Sequence, residues 1–229
     1  MDDPNEEMNV GRTKGRRRRM WRVPVFGAFL LALVVVIDDF VSKPSLTDFD
    51  PARMGELEGA MWRSYYEHRW LALARHGLLV SCGQYGFSFW DGLRSSALAA
   101  RAARHFRSDT EDLRCLPLLE RYYRIIAGSL GREFDVSAAA RLELAWWRER
   151  RLKIGPEDYA ATIAENVAVV YGLPSERLLP FARLRALAMD YRDRHGRGGG
   201  MTDEHWAEVV RQLTAAYEAL SQTVSDAGR

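Results

Sequence analysis

With 229 residues, the chain has room for one or two domains with a sizeable core. Its composition, 47% hydrophobic and 28% charged, is that of a globular protein; two cysteines exclude a disulfide-dense scaffold, and no Cys/His cluster has zinc spacing. The net charge of +2 comes entirely from the N-terminus, since residues 1–22 carry +3 and residues 44–229 sum to zero, so no nucleic-acid partner is expected.

The polar stretch 1–22 ends in Arg16, Arg17, Arg18 and Arg19, followed by Met20, Trp21 and Arg22. Val23 to Ile37 then reads VPVFGAFLLALVVVI, without a charged residue. These 15 residues fall short of the ~20 of a comfortable span, and the flanking aromatic and Phe40-Val41 extend them. Asp38 to Lys43 offers no small-residue cleavage pair, which favours an uncleaved signal anchor over a removed signal peptide. Basic residues are retained on the cytoplasmic side, and all seven of this region precede the run. The expected organisation is a disordered cytoplasmic tail over 1–22, a transmembrane signal anchor over 23–41, a linker over 42–50, and a periplasmic domain over 51–229. The lipid bilayer of a bacterial inner membrane is then one partner, with another envelope protein as the second.

The remainder has helical periodicity and almost no strand signal. Asp50-Pro51 supplies an N-cap and a first-turn proline, and the segment that follows reads as one helix as far as Gly83. Asp91 to Arg107 is an alanine-rich helix, and Ser108-Asp109-Thr110-Glu111 has the form of a capping box. Pro117 restarts a helix, Asp135 caps the next, and Gly155-Pro156 separates it from a helix stopped by Gly172. Ser175 opens another that runs to the glycines near 196–200, and Thr202 caps the last. The fold class is therefore all-α: a membrane-anchoring helix followed by one soluble domain of six or seven helices.

Three helices share an acid followed by aromatics: Glu58 precedes Met61-Trp62, Glu120 precedes Tyr122-Tyr123, and Glu143 precedes Trp146-Trp147. A two-metal site in a bundle uses such glutamates but also needs Glu-x-x-His on two helices, which this chain lacks. No metal and no cofactor is expected; His68, His76 and His105 read as surface or hydrogen-bonded residues rather than haem ligands. Arg183 and Arg185 lie on an apolar-rich helix and fit partly buried ion pairs with the glutamates. A Glu143 general acid beside tryptophans is the functional counterpart, because burial against an aromatic raises a carboxyl pKa. Glu58, Trp62, Glu120, Glu143, Trp147, Arg183 and Arg185 are thus candidates for either a pocket or closed ion pairs. Cys82 and Cys115 would close a loop of about 33 residues if their helices brought them together.

No nucleophile elbow, phosphate loop or dinucleotide fingerprint is present. Two readings follow: a membrane-tethered accessory or interaction protein of the envelope, or a small-molecule-binding bundle, with or without enzymatic activity, around Glu58, Glu120 and Glu143. Convergence of these carboxylates on one open cavity favours the second; their dispersal favours the first.

Overall fold

The computed structural model describes residues 43–108, 114–153, 155–197 and 200–228. The expected tail and anchor, Arg16 to Arg19 included, and most of the capping box at 108–111 lie outside the described residues. Among those described, no helix is long and apolar enough to cross a membrane.

Eight helices and no strand occur among the described residues. They are α1 Pro51–Tyr66, α2 Trp70–Gly83, α3 Phe89–Ser108, α4 Cys115–Leu130, α5 Val136–Arg151, α6 Pro156–Tyr171, α7 Ser175–Gly196 and α8 Asp203–Ala227. Three of the expected caps lie where the sequence puts them. Asp50 accepts from the amides of Ala52 and Arg53, Asp135 from that of Ala138, and Thr202 from that of His205. Gly131 and Gly172 end α4 and α6 in the left-handed region, which a residue without a Cβ enters at little cost.

The expected first helix is instead two. α1 stops at Tyr66, and His68 takes a φ of 60°, before α2 begins at Trp70. Arg107 of α3 donates to the Tyr65 carbonyl at 3.4 Å and lies 2.9 Å from His68 Nε2. A side chain from another helix thus meets a carbonyl at the end of α1, a tertiary contact that leaves no local signature.

The main helix–helix contacts join each helix to its chain neighbours, and α1 also packs on α8. The eight helices therefore close into a ring. Close approach at the closure needs glycine: a Cβ on Gly55 would lie 2.7 Å from the Thr214 amide nitrogen and 2.8 Å from its Cα. One large buried cluster, including Met54, Leu119, Ile163, Leu178 and Met189, fills the helix interfaces. A smaller cluster of Ala188, Trp206, Val209 and Leu213 seals part of the α7–α8 contact.

Cys82 and Cys115 are thiols, so the bridge that the sequence left open is not formed. Cys82 packs against Gly92 near the start of α3, whereas the Cys115 thiol points to the Ala102 carbonyl at 3.6 Å. Ten helical residues separate these two points on α3, about 15 Å of rise. A hairpin brings the start of its second helix, not its end, back to the end of its first.

Candidate functional site

Inside the ring is a hollow of about 630 Å³. It is lined by α1 through Glu58, Met61, Trp62 and Tyr66, by α3 through Ala99, Ala100 and Ala103, and by α5 through Glu143, Trp146 and Trp147. Arg107 and Arg151 are the lining residues that are exposed, and they mark the mouth. A second space of about 210 Å³ lies beyond, reaching Asn166 and Ile163 of α6. Tyr85, Tyr122, Glu143, Arg185 and Tyr217 border both spaces and so form the partition between them.

Glu58 falls among Met54, Leu57 and Gly59 on the buried face of α1, and is only 6% exposed. Arg185 of α7 donates to its Oε1 from Nη2 at 2.6 Å and from Nε at 2.9 Å, while the Tyr217 hydroxyl donates to Oε2 at 2.7 Å. Both carboxylate oxygens are thereby satisfied, which a buried charge requires. The guanidinium also lies 5.2 Å from the Trp146 ring centre and 5.9 Å from that of Trp62, within cation–π range.

Glu143 is held differently. Residues three and four positions on lie over the same helix face, so the indole N–H groups of Trp146 and Trp147 reach Oε2 and Oε1, each at 3.0 Å. The Tyr123 hydroxyl donates to Oε2 at 3.0 Å and accepts from Asn166 Nδ2 at 3.0 Å. All three donors are uncharged. Burial pushes the Glu143 carboxyl above the usual range, against the opposing pull of the Arg185 charge and the three hydrogen bonds. Burial likewise raises the phenols of Tyr85, Tyr122, Tyr123 and Tyr217, which therefore stay neutral at physiological pH.

Nearer the mouth, Arg150 grips Asp193 with Nε at 3.0 Å and Nη2 at 2.8 Å, and Nη2 also donates to the Tyr66 hydroxyl at 2.8 Å. Burial opposes ionisation of Asp193, but Arg150 and Arg192 outweigh it and hold the carboxyl below its ordinary range. Arg192 stacks on the Tyr66 ring at 3.0 Å. On α3, Ser96 is 8% exposed and lines the hollow, and its hydroxyl has no hydrogen-bond partner among the described residues.

The candidates from sequence divide clearly. Glu58, Trp62, Glu143, Trp147 and Arg185 converge on the hollow. Glu120 does not: it accepts from the Ser137 hydroxyl at 3.0 Å, between α4 and α5. Arg183 forms an exposed pair with Glu157 at 2.9 Å. Sequence reasoning missed Tyr123, Arg150, Asp193, Asn166 and Tyr217. A signal existed for Tyr217, a hydroxyl on the buried stripe of α8 that needs a partner. Ser64 Oγ lies 3.4 Å from His76 Nδ1, but Ser64 is fully buried and outside the hollow, so the pair is a packing contact between α1 and α2. No group of three or more His, Cys, Asp or Glu is placed to hold a metal among the described residues.

The fold and site together define a closed ring of helices around a polar and aromatic hollow. The chain matches no family model, no curated protein and no solved structure.

Proposed function

We propose that the helical ring is a binding module for a small organic molecule, received in the hollow between Glu58, Glu143 and Arg185. The observation that carries this reading is convergence: two of the three glutamates, far apart in sequence, face one space of about 630 Å³ with aromatic walls. Ligand sites have about this size, roughly 300–1,000 Å³, and pair an apolar lining with a few placed polar groups. The Ser96 hydroxyl, without a partner among the described residues, adds a group that a polar ligand would satisfy. The tether belongs to the same proposal. With Arg16 to Arg19 inside and residues 23–41 in the bilayer, the module would stand on the periplasmic side of the inner membrane. Exposed Trp70, Leu71, Trp90 and Leu93 supply apolar surface for an envelope partner.

The test is a titration of the full-length chain, in a non-ionic detergent, with 4-phenylbutan-1-ol, followed by tryptophan fluorescence. Saturable quenching that Ala100→Trp abolishes, with its melting temperature retained, supports the reading. Quenching that the filled variant keeps unchanged refutes it. A periplasm-only reporter fused after Arg229 tests the topology and should be active.

A further inference from the structure

Charge is distributed unevenly along the hollow. Arg150 is matched by Asp193 and Arg185 by Glu58, each in hydrogen-bonded contact. Arg107 and Arg151 stand at the exposed mouth, where solvent screens them. At the inner end, Glu58, Arg185 and ionised Glu143 together carry one negative charge, and Glu143 is satisfied by uncharged donors alone. A carboxylate has about four acceptor sites, and three are taken. The rings nearest this carboxylate are Trp146, Trp147 and Tyr123, with Tyr122 also on the partition. Their π faces attract cations, as the placing of Arg185 against Trp146 and Trp62 illustrates.

We propose that the ligand of this hollow is an organic ammonium ion with an apolar or aromatic body, its charged end meeting Glu143 at the partition. The proposal rests on the binding reading above and adds the chemical class. An ammonium N–H would take the remaining acceptor site of Glu143, neutralise the excess charge, and lie among aromatic rings. The apolar body would extend along Ala99, Ala100 and Ala103 toward the mouth. An anion in the same place would face two carboxylates with one guanidinium already committed.

Glu143 also makes binding depend on pH, because loss of its proton supplies the counter-charge. Facing it are Tyr122 and Tyr123 from α4, Arg185 from α7 with Glu58 of α1 behind it, Tyr217 from α8, and Tyr85 after α2. The phenols remain neutral at physiological pH, so Glu143 is the group whose charge the proposal invokes. Protonated, it offers the amine no counter-charge. Ionised, it does.

Three probes with one body and three charges test this on the full-length chain: 4-phenylbutylamine, 4-phenylbutan-1-ol and 4-phenylbutanoate, titrated by tryptophan fluorescence. The amine should bind about tenfold tighter than the alcohol at pH 8, and the carboxylate weakest. Glu143→Gln should bring amine and alcohol within about twofold, while Arg183→Gln, a change in an exposed pair, should keep the amine preference. Should Glu143→Gln not fold, the wild type alone decides. As pH rises through the ionisation of Glu143 the amine affinity should rise while the alcohol affinity stays flat. Equal binding of amine and alcohol, or an amine advantage that survives Glu143→Gln or ignores pH, overturns this inference and leaves the binding reading standing. Failure of all three probes to bind overturns both.

Discussion

Arg185 holds a buried charge pair whose disruption should be costly. Its guanidinium supplies two of the three hydrogen bonds to Glu58, which is 6% exposed, and its charge lies between two carboxylates. Arg185→Leu would leave Glu58 with the Tyr217 hydroxyl alone and remove the charge that draws Glu143 downward in pKa. Removing one partner of a buried pair costs about 3–5 kcal/mol. With a urea slope of about 2 kcal/mol per molar, the unfolding midpoint should fall by roughly 1.5–2.5 M.

The double variant Glu58→Leu/Arg185→Leu separates a lost attraction from an exposed charge. Exchange of a whole buried pair for apolar residues is often near neutral, with about 1 kcal/mol lost at the orphaned Tyr217 hydroxyl. The double variant should therefore be clearly more stable than Arg185→Leu alone. Arg183→Leu, which breaks an exposed pair with Glu157, should cost no more than about 1 kcal/mol. Urea unfolding followed by circular dichroism measures all three. A cost below about 1 kcal/mol for Arg185→Leu, or a double variant no better than the single, would refute the buried pair.

Three further outcomes are expected. Gly55→Ala should destabilise by about 1–3 kcal/mol in thermal melting although alanine is the better helix former, because its Cβ meets the Thr214 backbone; a stabilised variant would contradict the close crossing. Unfolded without reductant, the chain should show two reactive thiols, and none would mean that Cys82 and Cys115 do bond. The raised Glu143 carboxyl gives stability that is present at low pH and lost as pH rises through its folded-state pKa, so urea midpoints of wild type relative to Glu143→Gln should fall over that interval; parallel curves would sink the assignment.

Local chemistry was legible and cross-ring geometry was not. Asp50, Asp135 and Thr202 cap because their oxygens reach amides two or three residues on, and no distant group is needed. The Glu143 constellation was half visible for the same reason, since Trp146 and Trp147 follow it at the spacing of one helix face. Tyr123 was invisible as its third donor, because that contact depends on how α4 lies against α5. Glu120 misled: its aromatics follow at two and three residues, and its carboxylate turns to Ser137 instead. Arg183 and Arg185 looked equivalent in sequence, yet two positions along a helix turn a side chain by more than half a circle, so one faces solvent and the other the hollow. The end of α1 at Tyr66 belongs with these, being met by Arg107 from a helix some forty residues away.

The polar hollow follows from ring closure. Each described helix packs on its chain neighbours, and α1 on α8 completes the circle, so none of the described helices runs through the middle. Aliphatic side chains are too short to meet across such a space; arginine, tryptophan and tyrosine reach it, and they carry polar ends inward. Each polar end then needs a partner from another wall, as Arg185 finds Glu58 from α1 and Arg150 finds Asp193 from α7. The closure and the site are coupled through α1. Gly55, which sets the approach to Thr214, is one helical turn from Glu58, which meets Arg185 and Tyr217. The depth of the α1–α8 crossing therefore fixes where the Glu58 carboxylate sits. That carboxylate holds the guanidinium, and the guanidinium charge acts on Glu143. A change at the seam of the ring thus reaches the inner carboxylate through one ion pair.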